Sequence, residues 1–218
     1  MTGSAPNLED PSWLRVPIAD AAQIAARYDE WAQTYEHELI HEWRYQAPAV
    51  AARHLADRGM VSPVLDVGCG TGLVGRCLND AGFEEIDGVD VSPASLESAR
   101  AGGVYRRLSL ADFNSGPLPF PDDTYAAVIC VGVLSYAVDP GAVVGEFCRL
   151  VEPGGRLVFT HRMDLWEQQD FGRTLLTLQE SGVLRDVAWS EPSEYMPGNE
   201  ELSDIRIRYV TATTATAR

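Results

Sequence analysis

The sequence predicts an α/β fold, in which a mostly parallel sheet is covered on both faces by helices and preceded by a helical cap. From Val61 onward, short apolar runs alternate with amphipathic segments of helical length, the rhythm that parallel strands joined by crossover helices require. The helices carry their own punctuation. Ser92-Pro93 and Asp139-Pro140 each set a capping side chain before a proline at the first helical position, and Gly82, Gly102 and Gly154 stand where those helices should end. Upstream, the stretch from Asp20 to Leu55 is helical in composition, with Asp20 as the expected N-cap and Gly59 as the expected C-cap.

The 218-residue chain suits one domain, and its 45% of hydrophobic residues supply a core. Residues 1–16 read as an irregular leader, 17–60 as the helical cap or lid, 61–214 as the α/β core and 215–218 as a tail. Within the core the expected strands are 62–67, 85–90, 104–109, 125–131, 156–161, 186–190 and 204–213. The expected helices are 71–81, 93–101, 139–151 and 164–181, the last stopped by Gly182.

Acids outnumber bases, giving a formal charge of −15, and no lysine occurs. Nucleic acids and anionic membranes both call for a basic surface, so neither is an expected partner. No apolar run reaches the roughly 18–20 residues of a spanning helix, and the N-terminus lacks the basic and apolar regions of a signal peptide. Cys69, Cys77, Cys130 and Cys148 form no C-x-x-C pair, which points to free thiols and a cytoplasmic setting. The expected assembly is a monomer or homodimer.

Residues 64–75 read VLDVGCGTGLVG and contain GTGLVG, a match to the glycine turn of dinucleotide enzymes. Asp90 follows Gly70 by about 20 residues, where that pattern places its ribose acid. Asp66, at the tip of the strand before the glycines, decides against a dinucleotide. A carboxylate about 4–5 Å from a phosphate charge costs on the order of 3–4 kcal/mol at an effective dielectric near 20. A ligand with positive charge and no phosphate reverses the sign, and S-adenosylmethionine carries a sulfonium and an α-ammonium. A second pattern, HELIH at residues 37–41, spells a zinc-protease signature with His37 and His41 as ligands and Glu38 as base. No third-ligand pattern follows it, so no metal is expected; either histidine could instead face a substrate.

VLDVGCGTG resembles the first motif of class I S-adenosylmethionine-dependent methyltransferases, and the likeness runs through residues 24–162. IDGVDVSP, LADFNSGPLPFPDDTYAAVI, VGVLSYAVDP and EFCRLVEPGGRLVFTHR are similar to the later motifs in order. YDEWAQTYE and YQAPAVAARHL are similar to the lid of small methyltransferases. With RLSL, the whole most resembles the Williams–Beuren-region methyltransferase-like family. The resemblance implies a Rossmann-like class I methyltransferase fold, with seven strands of which the last is antiparallel.

The resemblance also implies a cofactor site. Gly68, Cys69, Gly70 and Gly72 would form its turn, joined by Asp66. Asp90, with Val91, would hold the ribose hydroxyls; Asp112 would accept from the adenine amino group and Phe113 would flank the ring. Val131 would close strand four, and Tyr28 and Tyr35, seven apart on one side of a helix, would reach down from the lid. Two departures stand out: Thr124-Tyr125 leads into Ala126 where the family carries an acid, and Ser135-Tyr136 follows Leu134 where it often has histidine. The second leaves the substrate side unassigned by resemblance.

The expected reaction is methyl transfer to a small-molecule acceptor, releasing S-adenosylhomocysteine. Such an in-line displacement gains much from holding the acceptor in place, so a base is optional. Ligands bind outside the C-terminal ends of such strands. That places Tyr136 past strand four and His161 with Arg162 at the end of strand five as catalytic or substrate-facing candidates. Trp189, Glu194, Tyr195 and Met196 could shape an apolar pocket. The competing expectation is a protein that binds the same cofactor without transferring methyl.

Overall fold

In the computed structural model, which describes residues 21–31 and 35–215, the parallel core opens at β1 (Val64–Val67) and continues through β2 (Ile86–Asp90), β3 (Arg107–Leu110), β4 (Tyr125–Cys130) and β5 (Val151–Arg162). It ends with β6 (Leu184–Trp189), a two-residue β7 (Ser193–Glu194) and β8 (Arg206–Thr214). The sheet order is β3-β2-β1-β4-β5-β8-β6, with β7 paired to β8. β1 to β5 pair in parallel, while β8 runs antiparallel between β5 and β6. This is the mostly parallel, Rossmann-like sheet with an antiparallel last strand that the sequence predicts; β7 is an addition. The expected leader, the Asp20 cap and residues 216–218 of the expected tail lie outside the described residues.

The central strands are buried on both faces, as parallel strands under crossover helices must be. Their side chains alternate between two cores. Val64, Ile129 and Val158 join Leu55 and Leu78 on one face. Leu65, Val128 and Phe159 join Phe147 and Leu175 on the other. The helices covering these faces are α3 (Ala47–Asp57) and α4 (Leu73–Asp80), then α6 (Pro140–Leu150) and α8 (Phe171–Glu180). α5 (Pro93–Gly102) starts where expected: the Ser92 hydroxyl accepts the Ser95 amide at 3.0 Å. Asp139 caps α6 in the same way, accepting the Ala142 amide at 3.0 Å.

Three expectations are corrected. The segment 164–181 is two helices, α7 (Met163–Gln168) and α8, because Asp170 between them adopts a left-handed conformation at φ 46°, which Asp tolerates better than most residues. β5 begins at Val151, so Gly154 (φ 83°) lies inside a strand and α6 ends earlier, at Leu150. β6 starts at Leu184 and its pairing with β8 shifts register between Arg185 and Ala188, around Asp186 at φ 51°.

Ahead of the core, α1 (Ala21–Trp31) and α2 (Tyr35–His37) lead into a π-helical turn, Glu38–Glu42. HELIH runs from the last residue of α2, His37, into this turn. His37 and His41 do share a face, with ring centroids 5.2 Å apart, but both are exposed. Glu38 accepts the indole N–H of buried Trp31 at 2.8 Å, which makes it a packing residue. Among the described residues, no group of three His, Cys, Asp or Glu side chains is placed to hold a metal.

Candidate cofactor and active site

The C-terminal ends of β1, β2 and β4 open onto a cavity that is continuous with solvent, where ligands of open parallel sheets bind. Its floor is the glycine turn between β1 and α4. Gly68 takes φ 72° and donates its amide to Val89 O at 2.8 Å; a Cβ there would lie 2.4 Å from Val133 Cγ2, so only glycine fits. Gly70, at φ 52°, faces open space, with nothing within 4 Å of a Cβ position.

Asp90, at the tip of β2, is the fixed acid of the cavity. Its Oδ2 accepts the Gly70 amide at 2.8 Å and its Oδ1 the Ser92 amide at 2.9 Å. Both oxygens are thereby oriented, and each keeps a lone pair for a ligand hydroxyl. Burial raises its pKa, the backbone amides of Ser92, Gly70 and Val91 pull it back down, and the charge of Asp29 on α1 adds a smaller upward push.

Asp66 is placed differently from expectation. It is fully buried and does not line the cavity. Its Oδ2 accepts the Tyr105 hydroxyl at 2.7 Å, while Oδ1 is buried with no hydrogen-bond partner. Burial pushes its pKa up to about 7, against the lowering effect of the Tyr105 hydrogen bond and with a further push from the charge of Asp90. The carboxyl is buried two residues before Gly68, which lines the cavity with Gly70, and one of its oxygens is left open.

Tyr28, Cys69, Val91, Phe113 and Val131 line the cavity with Gly68, Gly70 and Asp90. Gly72 does not; it serves as the left-handed N-cap of α4 at φ 98°. The side chain of Tyr35 lies outside the described residues. Asp112 is also outside the lining: its Oδ1 accepts the Asn114 amide at 2.8 Å and its Oδ2 the Ser115 hydroxyl at 2.5 Å. It closes its own turn, the ordinary use of Asp before a Gly-Pro loop, and its neighbours Ala111 and Phe113 face the ligand space instead.

The opposite wall is aromatic. Tyr136, in a 3₁₀ turn after β4 (Leu134–Tyr136), shares a hydrogen bond of 3.1 Å with the hydroxyl of Tyr28, their rings edge-on at 6.3 Å. Tyr45 and Tyr195 form a second edge-on pair, with centroids 5.4 Å apart, on the same cavity. Burial raises the pKa of Tyr136 and of Tyr195, while the charge of Arg162 opposes it at both. Sequence reading anticipates Tyr195 as a pocket residue but misses Tyr45, whose only signal is an aromatic placed just before the Pro48 helix start.

His161 is corrected. It is 1% exposed, its Nδ1 lies 3.0 Å from Arg162 O, and its ring stacks on Phe171 at 4.6 Å, away from the cavity. Strand parity is the reason. In β5 the cavity-side neighbour is Thr160, whose hydroxyl accepts the amide of the lining residue Gly132 at 2.8 Å, so His161 must face α7 and α8. Burial lowers its pKa. Arg162 is buried and pairs with Asp164 (2.5 Å), acting on the tyrosines behind the cavity wall rather than lining it. His37 and His41 do not line the cavity either. Replacing His161 with phenylalanine is expected to keep acceptor-dependent turnover within about threefold, with an unchanged pH profile. A loss of about a hundredfold, the usual range for a removed acid–base group, would return the histidine to the chemistry.

The glycine turn after β1, with Asp90 at the tip of β2 in a mostly parallel sheet, is the arrangement expected of a class I S-adenosylmethionine-dependent methyltransferase. Residues 65–159 match the model of a methyltransferase domain. The chain is 36% identical over 195 residues to human methyltransferase-like protein 27, covering 86% of this chain and 79% of that protein, and it belongs to that family. It is also 33% identical over 104 residues to a ubiquinone biosynthesis O-methyltransferase from Alkalilimnicola ehrlichii, covering 44% of this chain and 40% of that one. An S-adenosylmethionine-dependent methyltransferase from Thermotoga maritima shares the fold with a TM-score of 0.63 at 18% identity, covering 88% of this chain and 99% of that chain. The enzyme is a methyltransferase and its cofactor is S-adenosylmethionine. The residues present fit that group: Asp90 offers two oriented acceptors, Gly70 leaves open space, and Asp66 Oδ1 is unsatisfied.

Proposed function

We propose that the chain transfers methyl to a small, largely apolar acceptor and releases S-adenosylhomocysteine. The observation that carries this is the wall of four tyrosines, Tyr28, Tyr45, Tyr136 and Tyr195, facing the same cavity as Gly70 and Asp90. When bound, the cofactor supplies a methyl group on a positively charged sulfur. Asp90 is assigned the ribose hydroxyls, Phe113 a face of the adenine, and Asp66 the cationic end. The tyrosines exclude water and hold the acceptor in line, the source of most of the acceleration expected. Tyr136, kept neutral by burial, orients an acceptor oxygen or nitrogen through its hydroxyl and does not serve as a base near pH 7. The acceptor therefore arrives with its own available lone pair, and a proton on the reacting oxygen or nitrogen is lost to water, before binding or after release.

The quinone methyltransferase relative supports a small-molecule acceptor. So does the net charge of −15, which disfavours nucleic acids and anionic membranes. Among the described residues no helix is long and apolar enough to cross a membrane, and the four cysteines are free. Both fit a cytoplasmic enzyme, monomeric or dimeric, with a cap up to about residue 60 over the α/β core. Incubation with methyl-labelled cofactor and a fractionated metabolite extract tests this reading. S-adenosylhomocysteine release that depends on an added low-molecular-weight fraction is the expected result. Label in nucleic acid, or cofactor binding with no release in any fraction, contradicts it.

A further inference from the structure

Tyr105 stands between α5 and β3 and belongs to no motif, yet three elements make room for its ring. A Cβ at Gly75 in α4 would lie 2.3 Å from its Cζ, one at Gly72 3.2 Å from its Cε2, and one at Gly88 in β2 3.0 Å from its Cε1. Glycine is among the poorest helix formers, so its presence inside α4 is explained by the ring. The hydroxyl sits between the Gly75 amide at 3.1 Å and Asp66 Oδ2 at 2.7 Å. An amide can only donate, so the phenol oxygen accepts from Gly75 and its single proton points at Asp66. One oxygen of the carboxyl is thereby fixed, and the other, Oδ1, is buried with no partner in the protein.

We propose that Tyr105 is the positioning residue of the cofactor site, its hydroxyl tying the first turn of α4 to Asp66 and holding that carboxyl oriented and ionised for the cationic end of the cofactor. The inference rests on the cofactor assignment and not on the acceptor reading. Asp66 is also faced by Asp90 from β2, Cys69 in the turn, Cys77 from α4 and Cys130 from β4. The thiols are all raised by burial and stay neutral below pH 8. Asp90 is the other acid present, and it disfavours ionisation of Asp66, so the Tyr105 hydrogen bond is the contact that opposes both Asp90 and burial.

The test is calorimetric binding of S-adenosylhomocysteine between pH 5.5 and 8. It uses the wild type, Tyr105→Phe, Asp66→Asn and the double variant, with melting curves to verify folding. Wild-type affinity is expected to rise through about pH 7 as Asp66 ionises. Tyr105→Phe should move that rise to higher pH by about one unit, weakening binding at pH 7 by roughly three- to tenfold with the gap closing toward pH 8. In the Asp66→Asn background the same substitution should change affinity by less than about twofold, since coupled sites lose their separate effects once one is removed. Gly75→Ala, whose Cβ would lie 2.3 Å from Cζ and so push the ring and its hydroxyl off Asp66 while leaving the tyrosine itself unchanged, should reproduce the shift and carries the test if Tyr105→Phe does not fold. A loss equal at every pH and persisting with Asp66→Asn would reduce Tyr105 to packing, and no loss at all would overturn the proposal. A wild type that binds no S-adenosylhomocysteine at any pH would overturn the cofactor assignment and this inference with it.

Discussion

Asp66→Asn is expected to make the cofactor-free protein more stable at pH 8 while weakening cofactor binding by about 10- to 100-fold. Burial raises the folded-state pKa of Asp66 from 3.8 to about 7, so the folded protein holds a proton that the unfolded chain releases. The associated stability is fully present below about pH 4, declines as pH rises through about 7, and is gone at pH 8. A difference near 3 units corresponds to roughly 4 kcal/mol at full effect. Asparagine is neutral at every pH and keeps an oxygen to accept the Tyr105 hydroxyl, so most of that cost should vanish. For a chain of this size, about 2–4 °C of melting temperature accompanies each kcal/mol, and a gain of about 5–10 °C at pH 8 is the expected reading. At pH 5 the folded protein still holds the proton but the unfolded chain is largely ionised, so the advantage of the variant should shrink to roughly 1.6 kcal/mol, and the two proteins should melt together only near pH 4 and below. The binding loss follows from removing one partner of a buried charge pair. A melting temperature lowered at pH 8 would contradict this reading.

Asp90→Ala is expected to abolish measurable cofactor affinity, with a loss of about a hundredfold or more. Hydrogen bonds to a charged acceptor contribute about 1.5–3 kcal/mol each, and two ribose hydroxyls would lose theirs together. The same change strands the amides of Gly70 and Ser92, now held at 2.8 and 2.9 Å, and loosens the turn that the ligand must meet. Stability should fall by less than two lost amide bonds imply, because ionised Asp90 is itself opposed by burial. Titration calorimetry with S-adenosylhomocysteine checks the affinity; a change within about threefold would remove Asp90 from the site.

What could be read in the sequence follows the reach of local patterns. Gly70 and Asp90 are legible because a strand, a glycine turn and the next strand tip form one contiguous unit with a fixed spacing. The capped starts of α5 and α6 are legible for the same reason. The break at Asp170 was hidden because apolar spacing continues across it and nothing local demands a left-handed residue there. His161 was misassigned because its position at a strand end is visible but its face is not: parity separates Thr160 from His161, and only the neighbouring Gly132 shows which of the two turns toward the cavity. Asp112 carried a family role that its own turn amide and Ser115 had already taken up. Tyr45 and Tyr105 were invisible for a deeper reason, since their partners lie on distant elements and no spacing rule connects Tyr105 to Asp66, 39 residues away.

A crystal structure of the chain with S-adenosylhomocysteine places every one of these residues at once. The ribose hydroxyls should lie within hydrogen-bond distance of both Asp90 oxygens, with the thioether sulfur turned toward Tyr28 and Tyr136. A ribose lying away from Asp90, or a sulfur facing away from the tyrosine wall, would contradict the site described.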